Sequence, residues 1–525
     1  MNKYRKILIL SFLLLGLSSI LGEELPRLRS KPRKKCINIV NEVRSSCLKK
    51  WTVLIYMAAD NDLSPYSLWD LYEMETKIKG EINSGASTEI LDVLVELDTL
   101  GDSGSRRIHV KQGNEIYDET LTVQDFEKLD ERSIRSSTVD WFSEKEMDKL
   151  SVSERLLRFL EWGQEKYPSE NYMVVLWGHG EGYLGKTFVN NMKNDLAITP
   201  TKNKNKSRYF DSSSFEISSF EDVPPPKFYQ VQKPFGGILF DQSNDSFLDL
   251  QSLHDTLLTW VEASNEGVNL DILAFDSCLM QNIEVISEVG GVVDYIAGSN
   301  QVQNYLGLPY RKIFDLINTE ISSYELAKNL PHISQASWEE GGYQGRVDSE
   351  EYKTFSLSTL ATSQMENLYF FIHEVSLNLV SYLKERPSRK HELLFILEKA
   401  PRFQGETIDL GLLYGLIEKL LVEETLSGEN TEKSEILRKS VGEARYNLRA
   451  LLLDAKFGPL YYDASFEPEK AYLLGFFNGL SVWFPKNQVT YFKRHKEFSL
   501  SSFHKNVKSW NFLLEEVFRK DVFDF

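Results

Sequence analysis

Residues 270–289 read LDILAFDSCLMQNIEVISEV, and this stretch decides the fold. It begins with an apolar run that ends at Phe275, which is typical of a strand buried on both faces. The run stops at the tripeptide 276–278, and a helical pattern of apolar residues follows from Ile283. The sequence therefore predicts that Cys278 lies at the C-terminal end of a strand. In parallel α/β sheets this edge is where ligands and chemistry collect.

A second stretch shows the same order of patterns. Residues 172–177 (YMVVLW) form another short apolar run, which ends at Gly178-His179-Gly180. If the two strands are parallel neighbours in one sheet, His179 and Cys278 lie side by side at the same edge. A thiol needs a nearby base or cation to become a nucleophilic thiolate, and this pair would supply one.

Strand and helix patterns alternate along residues 51–384. Short apolar runs occur at 51–59, 90–97 and 237–241. Helical patterns follow the first and the third, whereas a more polar edge hairpin follows the second and precedes the helical pattern at 152–166. Such an alternation predicts an α/β fold with a mainly parallel sheet and helices on both faces. Helical periodicity dominates residues 385–525, where we expect a smaller, mostly helical C-terminal domain with some strand.

The N-terminus has the pattern of a secretory signal peptide over residues 1–22. Basic residues precede an apolar segment at 7–15, and small residues follow it. That segment is too short to span a bilayer comfortably, which favours a signal peptide over a membrane anchor. We therefore expect an exported protein, secreted, periplasmic or associated with the cell envelope, without a stable membrane span. Residues 23–50, rich in Arg and Lys, are expected to be a basic linker or propeptide arm.

The chain has three cysteines, Cys36, Cys47 and Cys278. Cys36 and Cys47 are close in sequence and could close a small loop, which would leave Cys278 unpaired. An odd thiol in an exported protein is a candidate reactive group. The alternative is a small buried residue at a strand end, which is how many free cysteines behave.

Charge and composition exclude two classes of function. The formal net charge of −17 argues against nucleic acid as a partner, because phosphate binding needs a basic surface. The sequence has no HExxH motif and no paired CxxC motifs, so a zinc enzyme has little support.

Several stretches together resemble the clostripain family of cysteine peptidases, which share the caspase-like fold. The matching pieces are WTVLIYMAADNDL (51–63), VVLWGHG (174–180), GGILFDQ (236–242) and LDILAFDSCLM (270–280), with a weaker match at GLSVWFP (479–485). A single GHG or DSC would be weak evidence, whereas all of these pieces in this order are specific. The resemblance implies a cysteine endopeptidase that acts on protein or peptide substrates.

By resemblance, Cys278 is the nucleophile and His179 is its partner in a catalytic dyad. Attack of a thiolate on a peptide carbonyl builds an oxyanion, which needs backbone N–H donors. Gly180 is a suitable donor because a side chain there would obstruct the substrate. The amide of Cys278, at the turn from strand to helix, is the natural second donor.

The resemblance also implies cleavage after Arg or Lys, with acidic residues in the substrate pocket. Asp276, two residues before the cysteine, matches one such acid. Leu306 stands where the second acid is expected, and Asn300 lies where family members tend to carry another. Both departures remove negative charge, so we expect a weaker and more apolar pocket. The alternative for Asp276 is a capping residue of the following helix.

A long polar insert, residues 186–235, separates the histidine strand from the cysteine strand. A segment of this length without secondary-structure pattern is usually functional or flexible. Members of the family are often activated by cleavage between the histidine and the cysteine, so we expect an activation loop here. The candidate cleavage sites are Lys202, Lys204, Lys206 and Arg208, although an ordinary surface loop would have the same composition.

Some members of the family need calcium, and Asp60, Asp62 and Asp241 offer oxygen ligands near the expected sheet edge. Their spacing is not that of an EF-hand loop, so we predict no cofactor and no bound ion.

Two other functions stay open. A non-catalytic exported surface or interaction protein could retain the fold, an alternative motivated by the lost pocket acids and the long insert. A serine hydrolase using Ser277 has weak support, because the flanking glycines of a nucleophile elbow are absent.

Overall fold

The structure is a computed structural model of the 525-residue chain. The residues that it describes are 48–78, 86–100, 104–111, 116–117, 129, 133–183, 236–263, 265, 267–339, 343–347, 351–403, 406–459, 461 and 475–518. The predicted signal peptide, Cys36 and Cys47, and the 186–235 insert with its candidate cleavage sites lie outside the described residues, so these expectations stay predictions.

The strands are numbered in chain order. They are β1 (Lys49–Ala59), β2 (Lys77–Ile78), β3 (Leu91–Thr99), β4 (Ser105–His109), β5 (Ile116–Tyr117), β6 (Thr138–Phe142), β7 (Ser169–Trp177), β8 (Ile238–Asp241), β9 (Ser246–Leu248), β10 (Leu270–Asp276), β11 (Val293–Gly298), β12 (Ser356–Ala361), β13 (Thr407–Asp409), β14 (Leu452–Phe457) and β15 (Ser481–Trp483).

The α-helices are numbered in the same way. They are α1 (Ser64–Glu75), α2 (Glu144–Met147), α3 (Val152–Lys166), α4 (Leu250–Ala263), α5 (Ile283–Val289), α6 (Tyr310–Ile317), α7 (Ser323–Glu339), α8 (Tyr343–Val347), α9 (Met365–Glu385), α10 (Pro387–Glu398), α11 (Leu410–Leu426), α12 (Glu432–Leu451), α13 (Gln488–Phe498), α14 (Ser502–Asn506) and α15 (Lys508–Phe518). None of these described helices is both long enough and apolar enough to cross a bilayer.

A nine-stranded sheet in the order β14-β12-β11-β10-β7-β1-β3-β4-β6 forms the centre of the fold. The five central strands, from β11 to β3, run parallel to one another. The two strands at each end of the sheet pair in the antiparallel sense. The predicted α/β fold is therefore confirmed, with its parallel part at the centre and antiparallel strands at both edges.

Both faces of the sheet are covered, which explains the near-continuous apolar runs. Successive side chains of a strand point to opposite faces, so each face needs its own apolar set. Leu54 and Val174 enter the apolar cluster on one face, together with Phe159 of α3. Val53 and Val175 enter the cluster on the other face, which α6 and α7 cover. The strand β3 is buried at all nine of its positions.

The segment after residue 385 joins the same sheet and the same core. β14 pairs with β12 and forms one edge of the central sheet. Leu420 of α11 and Val441 of α12 belong to the same apolar cluster as Leu176 and Phe275 of the central strands. The predicted domain boundary at residue 385 stays a prediction, and the segments on its two sides share one sheet and one core.

A chain that ends at residue 384 tests this boundary directly. It would lose the outer neighbour of β12 and the helices that cover part of the core, so we expect it to be insoluble or unfolded by circular dichroism and size-exclusion chromatography. A chain that ends at residue 518 is the control and is expected to fold. A soluble, cooperatively unfolding product from the shorter chain would establish an independent C-terminal domain.

Candidate active site

The register of β7 and β10 brings the two predicted functional residues to one edge of the sheet. The strands are parallel neighbours, and Trp177 lies opposite Asp276. His179 and Cys278 each follow two residues after these partners. The amide of Gly178 donates to the carbonyl of Asp276 at 3.2 Å, which extends the pairing beyond the strand ends. The geometry thus places His179 and Cys278 at the same carboxyl edge, as the apolar runs predict.

Gly180 packs directly against the backbone of the cysteine turn. A Cβ atom on Gly180 would lie 2.5 Å from the carbonyl oxygen of Cys278 and 3.0 Å from the Cβ of Ser277, so a side chain does not fit here. The segment is held in place by the amide of Leu239, which donates to the carbonyl of His179 at 3.0 Å. None of the hydrogen bonds between described backbone groups outside the helices and strands uses the amide of Gly180. This amide therefore suits the expected role of an oxyanion donor.

Asp62 contacts His179, although the sequence marks it only as an oxygen ligand. Its Oδ1 lies 2.6 Å from Nε2 of the half-buried His179. Desolvation acts to raise the pKa of Asp62, but the hydrogen bond with His179 and the charge of its ring outweigh this effect, and the pKa is lowered. An ionised carboxylate next to Nε2 would orient the imidazole. β1 neighbours β7, so acids just after β1 belong to the same sheet edge.

Cys278 is held by the loop that follows β11. The amide of Gln303 donates to its Sγ at 3.3 Å, and Sγ lies 3.7 Å from the carbonyl oxygen of Gln303. Burial raises the pKa of the Cys278 thiol to about 11; the hydrogen bond from Gln303 opposes this shift and the charge of Asp276 adds to it. This raised pKa favours the protonated thiol over the thiolate at neutral pH.

Asp276 is buried at the end of β10, and its carboxylate is bound inside the protein. Its Oδ2 accepts hydrogen bonds from the amide of Leu308 at 3.0 Å and from the hydroxyl of Tyr310 at 2.8 Å. Burial raises the pKa of Asp276 to about 6, and these two hydrogen bonds oppose the shift. The expected pocket acid therefore lies at the site, where it also anchors the loop that precedes α6.

Two alternatives that the sequence leaves open are not supported. The capping of α5 by Asp276 is wrong, because Asn282 is the N-cap and its side chain accepts the hydrogen bond from Val285. Ser277 is 1% exposed, and its hydroxyl donates to the carbonyl of Leu176 at 3.0 Å. A serine in this buried position lacks the access that a hydrolase nucleophile needs.

The two positions where acids are missing are both buried. Leu306 belongs to the same apolar cluster as Trp177. Asn300 accepts a hydrogen bond from the hydroxyl of Tyr461 at 2.6 Å, so it connects the C-terminal segment to the end of β11. Leu306 thus packs in an apolar cluster and Asn300 forms a hydrogen bond at the two positions where the family resemblance leads us to expect acids.

Two further buried carboxyls, which no motif marks, lie in α1 and interact with Asp276. Asp70 accepts a hydrogen bond from Nε1 of Trp177 at 2.6 Å, and Glu73 accepts one from the amide of Arg311 at 3.2 Å. Burial raises the pKa of Asp70 well above its usual range, and the charges of Asp276 and Glu73 add to the shift. Burial also raises the pKa of Glu73 to about 8, against the hydrogen bond and charge of Arg311. Carboxyl groups are thus concentrated beneath the carboxyl edge of the sheet, and their raised pKa values favour the neutral, protonated form.

Of the three expected oxygen ligands, Asp60 and Asp241 lie together, and Asp62 is separate from them. Asp62 faces His179, whereas Oδ1 of Asp60 accepts a hydrogen bond from Ser243 at 2.9 Å. Asp241 is bound to Arg155 at 2.7 Å. Asp60 also lies close to Asp98 and Glu144, since one carboxylate oxygen of each lies within 4.8 Å of the other two.

Comparison with known proteins agrees with this geometry. The family model described as the clostripain family, Peptidase C11, matches residues 55–205 and 228–515. The chain belongs to the clostripain family. The expected resemblance is therefore confirmed, and membership supports a cysteine peptidase that acts on protein or peptide substrates. No curated protein matches the chain.

Similar structures have been solved for clostripain-family proteases of two bacteria. The secreted C11 cysteine protease "iotapain" of Bacteroides thetaiotaomicron is 14% identical, with a TM-score of 0.50 over 88% of this chain and 99% of that one. The C11 protease of Parabacteroides distasonis, described as an inactive zymogen, is 16% identical, with a TM-score of 0.49 over 88% of this chain and 99% of that one. At 14% identity, the likeness to iotapain shows the fold alone.

Replacement of Asp62 by Asn keeps the shape of the side chain and removes the carboxylate charge that lies next to Nε2 of His179. We expect kcat for peptide hydrolysis to fall by about tenfold with little change in KM, because the ring loses orientation and not substrate contacts. Asp245→Asn, which removes an exposed charge in the turn between β8 and β9, is the control. An unchanged kcat in Asp62→Asn would mean that the imidazole is oriented without this carboxylate.

The raised pKa of Cys278 predicts a steep pH dependence of its alkylation. The thiolate is the reactive form, so a thiol with a pKa near 11 gains about tenfold in rate for each pH unit between 7 and 10. Labelling of the intact chain by iodoacetamide, followed by mass spectrometry of the peptide that contains Cys278, measures this rate. A rate that levels off between pH 7 and 8 would show that the thiolate is already formed.

Proposed function

We propose that the protein is an exported cysteine endopeptidase that hydrolyses peptide bonds through Cys278 and His179 and prefers Arg or Lys before the scissile bond. The parallel register of β7 and β10 is the main observation in support of this proposal. Trp177 and Asp276 are paired, and His179 and Cys278 each follow two residues later. Nucleophile and base on adjacent strand ends are the arrangement that thiol catalysis requires.

The proposed reaction proceeds through an acyl-enzyme. His179 accepts the proton of the Cys278 thiol, and the carboxylate of Asp62 stabilises the imidazolium that forms. The sulfur attacks the scissile carbonyl, and the amides of Gly180 and Cys278 donate to the oxyanion. The intermediate collapses as His179 returns the proton to the leaving amine. A water molecule, deprotonated by the same imidazole, then hydrolyses the thioester and releases the acid product.

Cleavage of the 186–235 insert is proposed to activate the enzyme. The described chain reaches the insert at Tyr183 and resumes at Gly236, and the amide of Gly237 donates to the carbonyl of Gly182 at 3.2 Å. A Cβ atom on Gly182 would lie 2.5 Å from the carbonyl oxygen of Leu279. The described residues on the two sides of the insert therefore meet beside the cysteine turn, so a cut in the insert could change the site while the neighbouring strands stay paired.

The buried acids support a preference for basic side chains. Asp276, Asp70 and Glu73 bring three buried carboxyl groups together near the expected pocket, and the charge of Arg311 opposes the rise in the pKa of Glu73. A cationic substrate side chain would favour the ionised form of these carboxyls and would be attracted by the charge that forms. Leu306 adds an apolar wall, which suits the methylene part of Arg or Lys.

Export is proposed from the signal-peptide pattern of residues 1–22. Two structural relatives, both from Bacteroides thetaiotaomicron, are described as secreted C11 cysteine proteases, which supports the same location.

A non-catalytic binding protein is the second candidate. The observation that favours it is the hydrogen bond from the amide of Gln303 to Sγ of Cys278, together with a thiol pKa near 11. Such a thiol would stay inert if the loop after β11 never moved.

A peptide-cleavage panel separates these functions. Purified protein with intact insert and with trypsin-cut insert would be offered substrates with Arg, Lys, Leu, Asp or Ala before the scissile bond. We expect cleavage after Arg and Lys by the cut form, and a loss of about a thousandfold or more in Cys278→Ala.

The other results of the panel are equally informative. Cleavage after Leu would mean that Leu306 determines the pocket and that Asp276 serves the structure alone. If the cut form cleaved none of the substrates, the result would favour a non-catalytic binding protein. Activity retained in Cys278→Ala would contradict the proposed nucleophile.

A further inference from the structure

The segment 485–508, which contains α13 and α14, has the opposite charge to the chain as a whole. It carries six Lys and Arg residues and one acidic residue, Glu497, for a formal net charge of +5, whereas the whole chain carries −17. Nε of Arg494 lies 3.0 Å from Glu406, and its Nη1 lies 3.7 Å from Glu497, so this arginine is neutralised within the fold. The positive charge that faces solvent belongs to the five exposed lysines, at positions 486, 493, 496, 505 and 508.

These five lysines are not neutralised by neighbouring acids. None of them forms an ion pair with another residue that the structure describes. Burial lowers the pKa of His504, and the charges of Lys508 and Lys505 add to this shift against the charge of Glu515. Positive charge thus outweighs negative charge around α14. Lysines that lack a partner within the fold are available to an anionic partner outside it.

Apolar side chains share the exposed face of α13 with two of these lysines. Val489, Phe492, Lys493 and Lys496 are all exposed, and their spacings of three and four residues place them on one side of the helix. Leu500 is exposed four residues after Lys496, just beyond the end of the helix. Val489 is 77% exposed, and Phe492 and Leu500 are 55% exposed each. Apolar side chains grouped in this way on a surface mark a site of association.

The opposite side of α13 is packed into the protein. Tyr491 and Phe498 are buried, and the ring of Phe498 lies 4.6 Å from that of Trp483 and 5.8 Å from that of Tyr183. Tyr183 follows His179 by four residues. The exposed face therefore belongs to a helix that is fixed in the fold, and one layer of side chains connects it to the segment that carries the histidine.

We propose that the exposed face of α13 and the lysines at 505 and 508 dock on an anionic lipid surface. Anionic headgroups attract lysines, and each lysine near such a surface strengthens binding by about fivefold. The apolar side chains between the lysines would enter the headgroup layer, while the lysine stems reach the phosphates. A soluble polyanion would attract the same lysines but leave Val489, Phe492 and Leu500 in water, so the combination favours lipid.

Vesicle flotation tests the docking without relying on activity, so its outcome is independent of the proposed function. The protein would be the Cys278→Ala chain of residues 23–525, in which the apolar segment 7–15 is absent and cannot insert. The vesicles would consist of phosphatidylcholine alone, or with about one quarter of phosphatidylglycerol as the anionic lipid. We expect flotation with the anionic vesicles and not with the neutral ones, and a tenfold or greater loss of binding in about 0.5 M salt, which screens the lysines.

Charge variants locate the electrostatic part. The double variant Lys493→Gln/Lys496→Gln is expected to weaken binding to the anionic vesicles by about twentyfold, because two of the docking lysines are lost. Lys145→Gln/Lys149→Gln removes two other exposed lysines, in and just after α2, and is expected to bind as before. Circular dichroism would check that both double variants are folded.

An apolar variant distinguishes lipid from a soluble polyanion. Phe492→Ser is expected to weaken vesicle binding by about tenfold, because the ring no longer enters the headgroup layer. Phe395→Ser in α10 removes a ring of similar exposure, 58%, and is the control that is expected to keep binding.

Four results would overturn the proposal. These are equal binding to neutral and anionic vesicles, no binding to either, full binding by Lys493→Gln/Lys496→Gln, and binding to dextran sulfate as tight as to vesicles and unchanged by Phe492→Ser. The last result would replace lipid by an anionic polymer. The basic arm at 31–35 (KPRKK) is a second possible source of binding. If glutamines in place of its basic residues abolished flotation while the α13 variants kept it, the docking would belong to the arm.

Discussion

The site depends on the register of three parallel strands. Met57 of β1, Trp177 of β7 and Asp276 of β10 lie level across the sheet. The chain leaves the sheet just beyond this row, so His179 and Cys278 emerge as neighbours, with the loop after β1 on the other side of the histidine. Side chains alternate between faces along a strand, so a slip of one residue would turn each apolar side chain toward the wrong core and move His179 out of line with Cys278.

The same edge accumulates buried carboxyls, which a fold selected for stability alone would avoid. Asp70, Asp98 and Asp276 are each buried with a raised pKa, and Asp60 joins them next to β1. Desolvated charges of one sign oppose folding unless a cation, a substrate or protonation compensates them. Such local conflict between stability and chemistry is typical of functional sites.

The sequence predicts the parts of this arrangement that are local. Apolar runs followed by GHG and DSC locate two strand ends. The strand–helix alternation predicts that these strands are parallel, so the sequence alone predicts that Cys278 and His179 lie at the same edge of the sheet. Asp62, Gln303 and Asp98 could not be assigned their contacts, because each acts across segments whose proximity depends on strand order. For the same reason helical periodicity indicates the helices after residue 385 but does not reveal that β14 pairs with β12.

The position of β14 has a consequence for the way the protein is made. β12 ends at Ala361 and β14 begins at Leu452, so a ribosome adds a long helical stretch before the outer neighbour of β12 exists. During that interval the antiparallel edge of a growing sheet stays open, and open edges template pairing with other chains. Misassembly would therefore depend on how long the edge of β12 stays unpaired. Slower synthesis would lengthen this interval, and crowded nascent chains would make a wrong pairing more frequent, although the stability of the finished fold would not change.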